Sequence, residues 1–344
     1  MQAVLKSVFV SASLLSLTLL PLSTAEPGRA ADRRTPVSLS QPYRFPNFPD
    51  IQTLATPQRV LKFPTKVSVG GIAVLKKAYF IIDEVADDLT DKSVTQKAQG
   101  TVTIPANRFV VFFPNHNYFA DPHQLDSLPV NSFDHVVFRY MSMDSNDANL
   151  GQPALAYFAR FTGLRCLELE RAEINDEPIK QFKTLVNLEF LNLFSTETNG
   201  TFVKSLTGLK KLRFIGANNI GIKPSEIPYF CNLSGLTTRN LSHNRLRDSD
   251  IAVLAGCKNL VTLGLASNSE ITDASLKTFA LMPKLRNIDL RDTQLTAKAL
   301  ASLEQRGVHI RGRAPSRPAN VPKLHKDSGG IEQIFSPFSR GREL

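Results

Sequence analysis

An apolar phrase is written twice between Leu260 and Leu295. The first copy runs Leu260-x-x-Leu263-x-Leu265-x-x-Asn268 and continues through Ile271, Asp273, Leu276 and Phe279. The second starts 25 residues later, as Leu285-x-x-Ile288-x-Leu290-x-x-Thr293-x-Leu295. Alternating apolar residues at the head of each copy predict a short strand, and apolar positions three apart at its tail predict a short helix. One such unit cannot bury its own apolar face. It has to stack on copies of itself, so a reading as isolated strands and helices would give the wrong fold.

The phrase extends upstream. Aligning the first apolar residue of each unit gives Phe133, Leu164, Leu188, Leu209, Leu236, Leu260 and Leu285, with steps of 31, 24, 21, 27, 24 and 25. Four units share the tail: Ile174-Asn175-Asp176 leads to Ile179 and Phe182, Leu246-Arg247-Asp248 to Ile251 and Leu254, Ile271-Thr272-Asp273 to Leu276 and Phe279, and Leu295-Thr296-Ala297 to Leu300 and Leu303. A capping residue followed by this spacing starts an amphipathic helix. Unit four departs from the pattern. Asn218-Asn219-Ile220-Gly221 and Pro224 predict a loop or 3₁₀ turn there. Arg239 falls on an inward position, where a buried charge is costly.

Residues 133–310 resemble the bacterial exported leucine-rich repeat proteins, similar to the ribonuclease-inhibitor-like and cysteine-containing classes. The resemblance rests on Cys257-Lys258-Asn259-Leu260 through Ile271-Thr272-Asp273, and on Asp289-Leu290-Arg291-Asp292-Thr293-Gln294-Leu295-Thr296. It implies an α/β solenoid, a right-handed β-α superhelix of about seven repeats. It also implies binding to a protein, without naming the partner.

The remaining segments frame the repeats. Residues 1–25 read as a signal peptide, with Lys6, an apolar run from Val8 to Leu20, and the small residues Ser23-Thr24-Ala25. That implies a secreted or otherwise extracytoplasmic protein with no membrane span after cleavage. Residues 26–58 are a Pro-rich linker. Residues 59–130 hold β-branched and aromatic runs, among them Lys66–Val69, Ile72–Leu75, Ala78–Ile82, Thr101–Ile104 and Phe109–Phe113. A solenoid needs an atypical unit over its first apolar face, so this block is expected to be a β-rich N-terminal cap. An independent β domain is the competing reading. Residues 131–310 form the repeat domain, and 311–344 a basic tail with seven Lys or Arg against three Asp or Glu.

The chain's net charge of +10 is spread along its 344 residues, with no basic face interleaved with aromatics, so composition does not point to nucleic acid. No phosphate loop, dinucleotide fingerprint or nucleophile elbow is present. His116, Asp121 and His123 lie close enough to be weighed as metal ligands, against a plain polar loop. An enzyme is not expected, nor a cofactor, and the chain should be monomeric. Cys257 sits at the pre-strand position as a small buried group. Units stack about 4.8 Å apart, so a Cys231–Cys257 bridge is also open. Cys166 should be a free thiol on the concave side.

Strand alternation sets what the concave face offers. The residues expected there or at its edge are Val137, Arg139, Tyr140, Glu168, Arg171, Phe190, Asn192, Phe194, Lys211, Arg213 and Ile215. They make an aromatic centre with a charged surround, the pattern of a protein-binding anchor. Two alternatives remain. One is a glycan- or cell-wall-binding module built on the Asn, Ser and Thr rows. The other is an enzyme or enzyme subunit with activity in the β-rich block.

Overall fold

The computed structural model describes residues 51–76, 95–139 and 148–311. Every described residue belongs to one compact unit, Tyr43–Leu344. The expectations for the signal segment, most of the linker, the strand at Ala78–Ile82, Tyr140 and nearly all of the tail lie outside the described residues.

The strands are β1 (Arg59–Lys62), β2 (Gly70–Leu75), β3 (Thr95–Lys97), β4 (Thr101–Ile104), β5 (Phe109–Pro114), β6 (His135–Arg139), β7 (Cys166–Glu170), β8 (Phe190–Asn192), β9 (Phe214–Gly216), β10 (Thr238–Asn240), β11 (Thr262–Gly264), β12 (Asn287–Asp289) and β13 (His309–Arg311). One sheet runs in the order β13 down to β5, then β2 and β3. From β5 to β13 the neighbours are parallel; β2 runs antiparallel to β5, and β3 to β2. The β-rich block therefore extends the repeat sheet through the β5–β6 pairing. Among the described strands only β1 and β4 pair separately. β13 adds a strand beyond the seven repeat units.

One register row crosses the inner face: Phe112, Val136, Leu167, Leu191, Ile215, Arg239, Leu263, Ile288 and Ile310. It corrects unit four. Ile215 lies in the core row, fully buried, and Phe214 takes the outward place beside Phe190. The unit therefore starts at Leu212, and the steps from Leu164 to Leu285 become 24, 24, 24, 24 and 25. Leu209 instead fills the pre-strand position, like Leu185, Leu233 and Cys257, and all four are buried. Two leucines three apart, both buried, offered two phases, and the sequence alone does not separate them.

Two devices close each unit. The eighth residue is left-handed in units two to seven: Arg171, Ser195, Asn219, His243, Ser267 and Asp292, all with φ between 55° and 59°. This turns the chain sharply off the strand. The ninth residue of units five and six is asparagine. Asn244 Oδ1 accepts from the N–H groups of Ile220 and Ile222, and Asn268 Oδ1 from those of Asn244 and Leu246. Their amide nitrogens donate to carbonyls of Ala217, Leu241 and Leu265. Buried backbone groups that the turn would orphan are thereby satisfied.

Behind the sheet lie short elements. Helices α1 (His116–Ala120) and α2 (Ala148–Tyr157) precede α3 (Asp176–Lys180), α4 (Asp248–Ile251), α5 (Leu276–Ala280) and α6 (Ala297–Gln305). Thr201–Leu206 and Pro224–Asn232 are 3₁₀ segments, and the second is the irregularity expected of unit four. The apolar core fills the space between these elements and the sheet, from Leu61 in the cap to Ile310.

Candidate binding surface

The outward side of the sheet carries two register rows. The first is Val111, His135, Cys166, Phe190, Phe214, Thr238, Thr262, Asn287 and His309. The second includes Val137, Glu168, Asn192, Gly216, Asn240, Gly264, Asp289 and Arg311. The first changes character between β9 and β10. Toward the cap, Val137, Cys166, Phe190 and Phe214 join Ile51, Ala73, Leu75, Phe109 and Val111 in a second apolar cluster. The rings of Phe190 and Phe214 stack with centroids 4.3 Å apart. His135 Nε2 lies 3.0 Å from Glu168 Oε1, and both side chains are fully buried. Cys166 is a free thiol in this layer, and burial pushes its pKa well up.

The residues expected on the concave face therefore separate. Val137 and Phe190 are buried in the second cluster, and Glu168 is held by His135. Asn192 is buried, and its Oδ1 accepts from Phe194 N–H at 3.2 Å. Gly216 leaves it room, since a Cβ there would come within 2.4 Å of that oxygen. Phe194 is half-buried with the Arg171 guanidinium 5.8 Å over its ring, and Arg171 is exposed. Arg139 ends β6 opposite Glu170. Ile215 is in the inner core. Lys211 and Arg213 move to the edge where the strands begin, a direct result of the corrected phase. Phe190, Phe194 and Ile215 thus do not form one open patch. Near α1, Asp121 caps the following turn and His123 pairs with Asp126 at 3.3 Å.

The strand-entry edge is a surface that the sequence reading missed. The second residue of each unit lines up along it: Asp134, Arg165, Glu189 and Arg213. Arg165 donates from Nε and Nη2 to Glu189 Oε1 at 2.8 and 2.6 Å, and Arg213 Nη2 to Glu189 Oε2 at 2.6 Å. Arg59 from β1 pairs with Asp134 at 3.0 Å. Arg165 also donates to the Gln52 carbonyl at 2.6 Å, which fixes the incoming chain against the ledge. The five charged residues Arg59, Asp134, Arg165, Glu189 and Arg213, with Leu54, Pro57, Lys210 and Lys211, line a groove of about 540 Å³. Lys210 and Lys211 stand exposed on its rim. They donate to the Thr207 carbonyl and to Asn187 Oδ1, both neutral groups. The alternating charges could have been found in the sequence only with the correct phase of unit four.

Residues 230–295 match the family model described as Leucine rich repeat. The fold is a leucine-rich repeat solenoid. Solved structures similar to it include an internalin (inlF) of Listeria monocytogenes, at 16% identity and a TM-score of 0.33, aligned over 54% of this chain and 63% of that one. The mouse RP105/MD-1 complex aligns at 24% identity and a TM-score of 0.37, over 44% of this chain and 26% of that one. A TLR13–ssRNA13 complex aligns at 18% identity and a TM-score of 0.37, over 58% and 31%. Each alignment thus spans less than two thirds of the other chain. No curated protein matches this sequence. Among the described residues, no helix is long and apolar enough to cross a membrane.

Proposed function

We propose that this leucine-rich repeat protein is an exported, non-enzymatic scaffold that binds a protein ligand, and that the strand-entry groove is its main contact. Solenoids of this kind offer long continuous surfaces for binding. The observation that carries the reading is the charge arrangement of the groove. Its floor is internally paired, while Lys210 and Lys211 on the rim meet only neutral groups. The lining holds five cations (Arg59, Arg165, Lys210, Lys211, Arg213) against two anions (Asp134, Glu189), a balance of 5 − 2 = +3. Leu54 and Pro57 add an apolar wall. An acidic segment beside an apolar residue fits that lining. Export is supported by the order of charged, apolar and small residues in 1–25 and by the Cys231–Cys257 disulfide, a bond that persists in oxidising compartments.

The test is capture of a ligand from the source cell's envelope proteins by the full chain, with a K210E/K211E variant and a K298E control on α6. We expect capture that weakens with salt, fails for K210E/K211E and survives in K298E. Equal capture by all three would remove the groove from the reading. Retention on cell-wall polysaccharide that is insensitive to K210E/K211E would favour the glycan-binding alternative.

A further inference from the structure

Arg239 stands in the inner row between Ile215 and Leu263, positions where neighbouring units carry aliphatic side chains. Its side chain is fully buried. The guanidinium lies 4.5 Å over the Phe230 ring. Its Nη2 donates to Cys257 Sγ at 3.6 Å, and Nε and Nη1 have no hydrogen-bond partner. It makes no ion pair among the described residues. The sheet gains nothing from a charge here, and a guanidinium buried without an anion is expensive.

The contact with sulfur identifies the missing anion. Cys257 is bonded to Cys231, 26 residues earlier, in a bridge between consecutive units. A cavity of about 200 Å³ lies beside the bridge, lined by both cysteines, Arg239, Asn232, Ser234 and Lys258. The two sulfurs are not equivalent. Cys257 is 6% exposed and touches Arg239, whereas Cys231 is only partly buried. We propose that Cys231–Cys257 is a thiol–disulfide exchange site, open to an external dithiol at Cys231, where Arg239 receives the Cys257 thiolate.

The step balances as follows. One thiolate of the dithiol attacks Cys231 Sγ, forming a mixed disulfide. The Cys231–Cys257 bond breaks, and its electron pair leaves on Cys257 Sγ. The second thiolate of the dithiol then attacks the mixed disulfide and releases Cys231, which takes up a proton. The dithiol is oxidised by two electrons to a disulfide, and the protein holds a Cys231 thiol and a Cys257 thiolate beside Arg239. A leaving sulfur stabilised as thiolate departs faster, which sets the direction of attack. In the bridged state burial alone pulls Arg239 down to about 9, as expected of a cation without its counter-ion. Lys258 is the only other charged residue on the cavity wall.

The experiment equilibrates the full chain with graded mixtures of reduced and oxidised dithiothreitol, for wild type and R239M. Trapping with an alkylating agent and mass spectrometry then locate the free cysteines. We expect R239M to keep its bridge at a reduced-to-oxidised ratio at least ~10-fold higher than wild type. In a C231S chain, the ultraviolet absorbance of the Cys257 thiolate should rise with a midpoint below the ordinary thiol value of about 8.5. Equal reduction of wild type and R239M, or a Cys257 midpoint at or above that value, would overturn the proposal. If R239M does not fold by circular dichroism, the C231S titration decides alone. A bridge serving only to fasten the two units would move neither readout.

Discussion

The two halves of the repeat sheet share one inner skeleton and are held together differently. From β6 to β9 the outward face is buried, with Val137, Cys166, Phe190 and Phe214 packed against cap residues beside the buried His135–Glu168 pair. The ninth positions there are Ala172, Thr196 and Ile220. From β10 to β12 the outward first row turns polar, with Thr238, Thr262 and Asn287, and the turns are tied by Asn244, Asn268 and Thr293. The first half is a three-layer stack: convex elements, sheet, outer apolar layer. The second is a two-layer stack closed by hydrogen bonds; it carries the buried Arg239, and the disulfide joins it to the first half. The family match at 230–295 follows the asparagine-tied half. A repeat thus keeps its recognisable consensus where polar turns do the fastening, and drifts where a second apolar layer takes over.

The largest effect should come from breaking that outer layer. Phe190→Ala removes a fully buried ring stacked on Phe214, a loss of about 3–5 kcal/mol. Thr262→Ala, in the same row two strands beyond Phe214, should cost under about 1 kcal/mol. The check is a denaturant melt of both variants. Phe190→Asp should cost more still and unfold the protein, since a carboxylate would replace the ring in an apolar layer. Equal small losses for Phe190→Ala and Thr262→Ala would show that the two halves do not differ in this way.

The next effect tests the other half. Asn268→Ala leaves the N–H groups of Asn244 and Leu246 without their acceptor, inside the protein. Orphaned buried donors cost about 1–3 kcal/mol each, softened by relaxation of the turn. We expect a loss of about 2–3 kcal/mol in the same melt. Thr196→Ala, at the equivalent position of unit three, removes one hydroxyl that donates to the Leu193 carbonyl at 2.9 Å. That change should cost about 1 kcal/mol. A larger loss at Thr196 than at Asn268 would reverse the comparison.

What the sequence showed and hid follows the same division. The inward positions, the strand order and the solenoid were legible, because burial on one face enforces a period that survives every local change. The phase of unit four was not. Leu209 and Leu212 are both buried, and Ile220 stands where asparagine would have marked the turn. That one slip moved Ile215 onto the wrong face, and Lys211 and Arg213 off the ledge they occupy. The aromatic centre was seen, but its covering was not. Ile51, Ala73 and Leu75 join the cluster of Phe190 from more than a hundred residues away, and local pattern carries no trace of such contacts. The disulfide was open on spacing alone; a Cα separation of 4.6 Å decides it.

The smallest expected effect lies on the strand-exit side, where units five and six are tied by a carboxylate. Asp248 accepts from Thr272 N–H at 3.0 Å, from the Thr272 hydroxyl at 2.6 Å and from the Ser275 hydroxyl. Partial burial raises the Asp248 pKa, but the hydrogen bonds from Ser275 and Thr272 outweigh it, and the net direction is down. A carboxyl depressed in the folded state contributes stability above its unfolded pKa of about 3.9, and that contribution is lost as pH falls through the folded value. Asp248→Asn keeps the shape, removes the charge and turns one acceptor into a donor facing Thr272 or Ser275. At neutral pH we expect a loss of under about 1 kcal/mol, since Asp248 is only half-buried and solvent screens it. As pH falls through the depressed folded value the gap between wild type and variant should narrow, because the wild-type carboxyl then loses its charge too. A difference that stays constant from neutral pH to acid would assign the effect to shape rather than charge. The polar half would then be tied by hydrogen-bond geometry alone.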